Sequence, residues 1–289
     1  MPGLGEFRRR FSSIAKPSPE PEPTPRSHAH RDTRLLDPTF FSIQDIDFSW
    51  FVKVNAAVRL KMNKLDAAHD YMHVQRVTIK AHELYLAEKS QPWTREIDPR
   101  TIIVAAMVHD VGNVKYIEDL AENEKDLGPR RPHSPDTVQQ IQHELLLDFL
   151  RRLDCPPDVA GPAALIASLV SNTGEVQNKG KIQDHCEAYP ALRIVQDAYR
   201  LDSLGYVGIA RTGVLTRMDE QRRNGTILAM IQLIDTRFVH YVGLMKTKTG
   251  RKEAEKRWAQ TLEFREGLMA QTDCSAGLVT DEELRSNLV

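Results

Sequence analysis

The feature that most constrains this chain is a His–Asp pair placed directly after an apolar run. Seven consecutive apolar residues fill positions 102–108, and His109 and Asp110 follow them. Such a run is typical of a helix that is buried on all sides, and Gly112 gives a stop signal just beyond it. Two ionisable side chains at the edge of a core are costly unless they are paired, hydrogen-bonded or bound to a metal. The alternative is a polar helix end that faces solvent.

The composition is that of a soluble folded protein. The 289 residues are 41% hydrophobic and 27% charged, with 39 basic residues against 40 acidic ones and a net charge of −1. This balance gives no global reason to expect a nucleic-acid or membrane partner, and no apolar run approaches the ~18 residues of a membrane span. The three cysteines are widely spaced, so neither a disulfide framework nor a thiolate zinc site is indicated. A cytoplasmic location is the simplest expectation.

The first 35 residues differ in composition from the rest of the chain. They are rich in Pro, Ser, Arg and Glu and have few apolar anchors, so we expect a disordered tail. Glu6 and the prolines that follow disfavour the alternative, an organelle-targeting segment. Residues 36–289 are expected to form one domain, whose oligomeric state the sequence leaves open.

From residue 40 onward, apolar residues recur at helical spacing. Asp98 and Pro99 form a start signal for the central helix, and residues 118–134 are polar and predict a loop. The segments with helical periodicity are 49–62, 70–88, 136–153, 157–171, 194–205 and 251–270. Strand-like alternation is scarce, so the predicted fold class is all-α.

Two further segments carry polar side chains that can join the His–Asp pair. Upstream, His69 and His73 share one helical face, and His73 lies beside an apolar stripe. Downstream, residues 194–205 predict a helix whose buried stripe is flanked by Tyr199 and Asp202. No spacing rule ties the segments together, and a lone histidine such as His73 is equally well explained as a core residue.

Taken in chain order, the segment around His73, the His109–Asp110 pair and the helix that carries Tyr199 and Asp202 resemble the motifs of the HD-domain superfamily of metal-dependent phosphohydrolases. The resemblance is strongest to a small branch with the signatures His-Asp-x-x-His-x-x-Arg-Val and Gln-Asp-Ala-Asp-Arg-Leu-Asp-x-x-Gly-x-x-Gly-Ile-Ala-Arg. The first signature matches residues 69–77, the last matches residues 196–211, and a similar tail occupies residues 245–257. The resemblance covers residues 49–270 and implies an all-α HD-domain helical bundle.

The resemblance also implies a metal site. Its ligands would be His73, His109 and Asp110, which suit a divalent manganese, magnesium, iron or nickel ion. Such a metal lowers the pKa of bound water and neutralises charge on a phosphoryl group. Three bases match family positions and are candidates for phosphate contacts: Arg76, Lys115 and Arg200. Exposed surface charge is the alternative for each of these bases.

Two departures from the family pattern bear on the chemistry. Tyr199 stands where the family has its fourth ligand, and a neutral phenol is a poor substitute for a carboxylate. Asn113 stands where the branch has a carboxylate suited to proton transfer. Asp197 is expected to point away from the pocket, whereas Asp202 is nearer the right side but about a turn lower. Because two carboxylates are replaced, the pocket is less suited to a divalent cation, which it can fail to bind. We expect a pocket that is better suited to a neutral or apolar ligand.

Three functions of different class remain. The first is a metal-dependent phosphohydrolase acting on a nucleotide or small phosphate ester, with water or Asp202 completing the metal sphere. The second is an HD fold reused by an isomerase or cyclase of a specialised biosynthetic pathway, in which Tyr199, His73 and His109 act as hydrogen-bonding or acid–base groups. The third is an inactive relative. The candidate catalytic residues are Lys115, Asp202 and Tyr199, and the expected partner is a small-molecule substrate.

Overall fold

The structure, a computed structural model, describes residues 34–62, 70–111, 135–170, 179–218 and 227–280. Within these ranges the regular secondary structure is helical and no strand occurs. The described part of the chain contains ten α-helices: α1 Asp45–Met62, α2 Tyr71–Glu88, α3 Pro99–Val108, α4 Pro135–Arg151, α5 Pro157–Ser168, α6 Lys179–Ala188, α7 Ala191–Leu201, α8 Gly205–Met218, α9 Ile227–Thr236 and α10 Lys248–Thr272. Short 3-10 turns lie at Pro92–Thr94, Phe238–His240, Val242–Leu244 and Ser275–Gly277. The prediction of an all-α class is confirmed.

Several sequence predictions fall outside the described residues. These are most of the tail, at residues 1–33, together with His69, Asn113, Lys115 and the predicted loop at residues 118–134.

The helix α3 is the centre of the bundle. Its residues 101–108 are all buried, and α2, α5 and α7 pack against it. The carboxylate of Asp98 accepts the backbone N–H of Arg100 at 2.8 Å, and Pro99 fills a position whose N–H would have no helical partner. The helix ends at Val108, so the His–Asp pair leaves the core at the end of a buried helix.

The helices α2 and α7 bring further polar side chains to the same end of α3. Asp70 caps α2 by accepting the backbone N–H of His73 at 2.8 Å, which places His73 in the first turn. The helix α7 ends at Leu201 with Asp202 as its C-cap. The sequence predicted one helix over residues 194–205, but α8 begins at Gly205, whose φ of +69° breaks the helical path.

The helix α10 is anchored on α7 through a buried carboxylate. Asp197 accepts the backbone N–H groups of Lys246 and Thr247 and the Thr247 hydroxyl at 2.8–3.1 Å. Thr247 in turn caps α10 by accepting the Gly250 N–H at 2.9 Å. A Cβ at position 250 would lie 2.6 Å from Asp197 Oδ2, so only glycine fits this approach. The family-like segment at residues 245–257 therefore anchors the start of α10 on α7.

One stretch, Ile227–Leu244, is long and apolar enough to be a candidate membrane span by composition, although we expected none from the sequence. It is not one continuous helix, because α9 contributes 10 residues and two 3-10 turns follow. A span needs about 20 helical residues, twice the length of α9. The predicted absence of a membrane partner and the cytoplasmic location stay predictions.

Candidate metal centre

Three buried side chains converge where α2 and the end of α3 meet. His73 Nε2 lies 3.1 Å from His109 Nε2 and 3.3 Å from Asp110 Oδ2. His109 Nε2 lies 3.2 Å from the same Asp110 oxygen. The structure thus brings together the three residues that the family resemblance names as metal ligands.

Hydrogen bonds on the far side of each ring decide which nitrogen faces the cluster. His109 Nδ1 lies 2.7 Å from the carbonyl oxygen of Ala106, and His73 Nδ1 lies 2.7 Å from Asp202 Oδ2. Because both oxygens only accept, each Nδ1 carries the proton, and each Nε2 of a neutral ring is then a lone-pair donor to a cation. Two such nitrogens and a carboxylate oxygen therefore face one another.

This arrangement fits a divalent cation. Ligand bonds of about 2.1 Å, at angles between octahedral and tetrahedral values, separate neighbouring ligand atoms by roughly 3.0–3.4 Å. The observed separations are 3.1–3.3 Å. Asp110 Oδ2 is buried and accepts no hydrogen bond from the described residues, so a cation would compensate its charge. The mixed nitrogen and oxygen set suits a borderline to hard metal ion.

The electrostatics of His73 and Asp110 agree with this fit, whereas those of His109 oppose it. Burial lowers the pKa of His73, and the charge of Arg211 adds to the effect. Burial would raise the pKa of Asp110, but His109 and His73 hold it well below its ordinary value. Burial would lower the pKa of His109, but the charge of Asp110 outweighs this effect, so the pKa of His109 is raised above its ordinary value. A neutral His73 and an ionised Asp110 are the forms that bind metal, and a proton on His109 competes with a metal for the same lone pair.

Asp202 lies behind His73, not in the cluster. Its carboxylate accepts from His73 Nδ1, from Arg76 Nε and Nη2 at 2.7 and 3.0 Å, and from Arg211 Nη1 at 3.0 Å. Burial would raise the pKa of Asp202, but these donors hold it well below its ordinary value. As the C-cap of α7 it contacts the ring nitrogen opposite the metal side. The structure therefore gives it a positioning role, where the sequence suggested a catalytic residue or a completing ligand.

The predicted phosphate-binding bases have different places. Arg76 lies beside the site with about a third of its side chain exposed, 35%, and with two nitrogens on Asp202. Lys115 is outside the described residues.

Arg200 is buried on another side of α7. Its Nη1 lies 4.0 Å from Asp197 Oδ1 and 3.5 Å from the carbonyl oxygen of Leu244. Burial lowers its pKa to about 10. One helical position turns it ~100° away from Tyr199, so the structure does not bring Arg200 to the cluster.

Tyr199 lies against the cluster. Its ring centroid is 5.4 Å from that of His109 and 6.1 Å from that of His73. Burial raises the pKa of Tyr199 to about 12, and the neighbouring Tyr241 and Asp110 add to the effect. The side chain is therefore a neutral phenol near neutral pH.

Two arginines at the site were missed by sequence reasoning. Arg211 pairs with Asp202, and the guanidinium of Arg237 interacts with Tyr199. Arg211 closes the last family signature, so its place in that motif was a usable signal. Arg237 lies outside every motif, in an apolar stretch, and carried no signal.

Comparison with solved structures supports the fold. YpgQ of Bacillus subtilis, solved in complex with ADP, is 22% identical to this chain, with a TM-score of 0.51 over 76% of this chain and 98% of that one. A Lactobacillus plantarum protein is 20% identical, with a TM-score of 0.52 over 76% and 96%. An HD-superfamily hydrolase of Bacillus thuringiensis is 22% identical over 77% and 95%, but its TM-score of 0.45 is too low to carry an argument. No protein-family model and no curated protein matches this chain.

The likeness to the first two structures is a likeness of fold alone. Together with the helices described above, it confirms the predicted fold class, an all-α helical bundle.

Proposed function

We propose that this chain is a metal-dependent phosphohydrolase acting on a nucleotide or another small phosphate ester. The observation that carries this proposal is the convergence of two histidine nitrogens and a carboxylate oxygen at 3.1–3.3 Å. His73, His109 and Asp110 would hold one divalent manganese, magnesium, iron or nickel ion. When bound, the metal supplies a water of lowered pKa and neutralises charge on phosphoryl oxygens.

The charge around the cluster supports an anionic substrate. Three guanidinium groups lie around it, those of Arg76, Arg211 and Arg237. Arg76 and Arg211 both pair with Asp202, so together with the ionised carboxylates of Asp202 and Asp110 these groups leave a small net positive charge before any metal binds. A divalent ion would add two positive charges, and a phosphate monoester carries roughly two negative ones. This setting differs from the neutral or apolar pocket that the loss of two carboxylates suggested.

Neighbouring residues orient the side chains that would bind the metal. Asp202 and the Ala106 carbonyl hold the two imidazole rings so that both Nε2 lone pairs point at one place. Tyr199 stays protonated near neutral pH because its pKa is raised to about 12, so it serves as a hydrogen-bonding group and not as a general base.

A nucleotide is the substrate class we favour. YpgQ, whose fold this chain shares, was solved in complex with ADP. Carried to this chain, that complex suggests a nucleoside phosphate as the ligand of the arginine-lined site.

An isomerase or cyclase acting on an organic intermediate is the second candidate. The observation that favours it is the neutral phenol of Tyr199 in the place of a ligand carboxylate, close to two histidine rings. An inactive relative would show the same replacement.

Metal analysis and a hydrolysis assay on the untagged protein test the proposal. We expect about one manganese per chain, metal-dependent release of phosphate from a nucleotide panel, and loss of both in His109→Ala because a ligand is removed. The matched control is His143→Ala, at a partly exposed histidine of α4, which should keep both. A wild-type protein that binds no divalent metal and releases no phosphate would exclude the phosphohydrolase.

A further inference from the structure

The turn after α9 places an arginine beside the metal centre that no family motif accounts for. Arg237 precedes the 3-10 turn Phe238–His240. Its Nε donates to the hydroxyl of Tyr241 at 2.9 Å, and its guanidinium also interacts with the side chain of Tyr199. Tyr199 in turn packs edge-on against the ring of His109. A continuous chain of contacts therefore runs from a proposed metal ligand to a guanidinium group.

The position of Arg237 is held by buried aromatic side chains. Tyr241 and Phe238 are buried, and their ring centroids lie 5.3 Å apart. A guanidinium has five N–H donors, so two phenol hydroxyls leave donors over. Burial would lower the pKa of Arg237, but Tyr241 and Tyr199 raise it, so the group keeps its charge.

The charge of Arg237 is not balanced by a protein carboxylate in the described part of the chain. The other two arginines at the site, Arg76 and Arg211, both contact the carboxylate of Asp202. Within the described ranges no carboxylate lies within 4.0 Å of the Arg237 guanidinium, whose hydrogen-bond partners there are phenols. Arg237 is exposed enough for a ligand to reach it, and a guanidinium that no described carboxylate balances favours an anionic ligand.

Tyr199 links this cation to the metal centre. At position 199 the family resemblance places a carboxylate that would complete the ligand set. Here a neutral phenol contacts both histidine rings and also interacts with the Arg237 guanidinium, so a positive charge lies next to the position where the family resemblance places a carboxylate. A centre with three protein ligands keeps coordination positions for oxygen atoms of a substrate.

We propose that Arg237, held by Tyr199 and Tyr241, forms a subsite for a terminal phosphate group, which supplies the negative charge that the fourth carboxylate would have brought. This inference rests on the proposed phosphohydrolase function. A terminal phosphate has three free oxygens, enough for one on the metal and two on the guanidinium fork, whereas a phosphodiester has only two. The subsite therefore selects phosphate monoesters and nucleotide termini over phosphodiesters.

Binding of inorganic phosphate to the full manganese-loaded chain tests the subsite without relying on turnover. We expect Arg237→Gln to weaken phosphate binding by about 10–100-fold, because a charge-assisted contact is lost. Manganese affinity should stay within about twofold, since Arg237 is not a ligand. Arg237→Lys should fall between, because an ammonium lacks the bidentate fork. The matched control is Arg265→Gln, at a partly exposed arginine paired with Asp235, which should bind phosphate as the wild type does.

A second measurement separates this role from a structural one. With p-nitrophenyl phosphate, Arg237→Gln should raise KM, while turnover of bis(p-nitrophenyl) phosphate should change little. Circular dichroism and the thermal midpoint verify that each variant is folded.

Each outcome decides between the two proposals. Equal phosphate affinity in Arg237→Gln and wild type, with manganese bound by both, overturns the subsite and leaves the metal centre intact. Loss of manganese binding in Arg237→Gln also overturns the subsite, because the arginine would then support the metal ligands. A wild-type chain that binds no manganese overturns the proposed function, and the subsite with it.

Discussion

At the scale of single residues, one carboxylate controls the orientation of His73. The contact between His73 Nδ1 and Asp202 keeps the Nε2 lone pair on the side of Asp110. Arg76 and Arg211 contact the same carboxylate and hold it in place. The geometry of a ligand is thus determined by a residue that does not itself touch the metal position.

Replacing Asp202 by asparagine tests this positioning role. We expect Asp202→Asn to lower manganese affinity by about 10–100-fold, since an amide holds the imidazole less strongly than a carboxylate and leaves two arginines without their anion. Calorimetric titration of manganese measures the effect. Asp235→Asn, at an exposed carboxylate paired with Arg265, is the control and should bind as the wild type does. Unchanged affinity in Asp202→Asn would show that the ring of His73 needs no such partner.

Tyr199 makes a second prediction at this scale. Its ring lies against both histidines, so Tyr199→Asp should restore a fourth ligand and raise manganese affinity by about 10–100-fold. Tyr199→Phe keeps the ring but removes the contact to Arg237, and its manganese affinity should match that of the wild type. Titration of manganese into the three proteins measures the difference. Equal affinity in all three would mean that position 199 cannot supply a ligand.

At the scale of helices, the joint between α7 and α10 depends on one close approach. Asp197 accepts the backbone N–H groups of Lys246 and Thr247, and Gly250 lies against its carboxylate. Asp197 therefore points away from the metal centre, and it orders the turn that starts α10. The same short motif on α7 thus contributes Asp202, which contacts His73, and Asp197, which holds the start of α10.

Gly250→Ala should destabilise the protein through this joint. The added Cβ would lie 2.6 Å from Asp197 Oδ2, and such overpacking typically costs about 1–3 kcal/mol. Gly267→Ala is the matched control on the same helix, where a Cβ meets nothing within 4 Å. The control should be neutral or stabilising by about 0.5–1 kcal/mol. Urea unfolding measures both, and equal stability of the two variants would contradict the close approach.

At the scale of the whole molecule, the site exists because the ends of three helices meet. The first turn of α2, the end of α3 and the C-cap of α7 contribute its two histidines and two carboxylates, and α8 and the turn after α9 add Arg211 and Arg237. These helices pack on one another, and the apolar side of each is in the core. The chain therefore places the charged groups at one end of a bundle whose middle is apolar.

The N-terminal segment provides a prediction for the whole chain. Its composition predicts that residues 1–33 add no apolar packing to the helical domain. Deleting them should leave the thermal midpoint and phosphate release unchanged. A drop of several degrees would contradict this and show that the segment stabilises the domain.

Much of the fold was predictable from the sequence because its signals are local. The apolar run at residues 102–108, with Asp98 and Pro99 before it, predicted a buried central helix, and α3 is that helix. The helices α6, α8 and α9 were missed. In α8 the reason is Gly205, which resembles a helix end but begins the next helix at positive φ. Local signals thus predicted most of the described helices, but they missed three of them and located helix ends less well.

The sequence by itself determined the helical class and, through family motifs, the three residues that converge. Only the tertiary structure decided that Asp202 lies behind His73, that Arg200 faces Asp197, and that Arg237 reaches Tyr199. The physical reason is the separation along the chain over which each effect acts. Propensity and periodicity act over a few residues, whereas His73 and Asp202 are 129 positions apart and meet because their helices, α2 and α7, pack on each other and on α3.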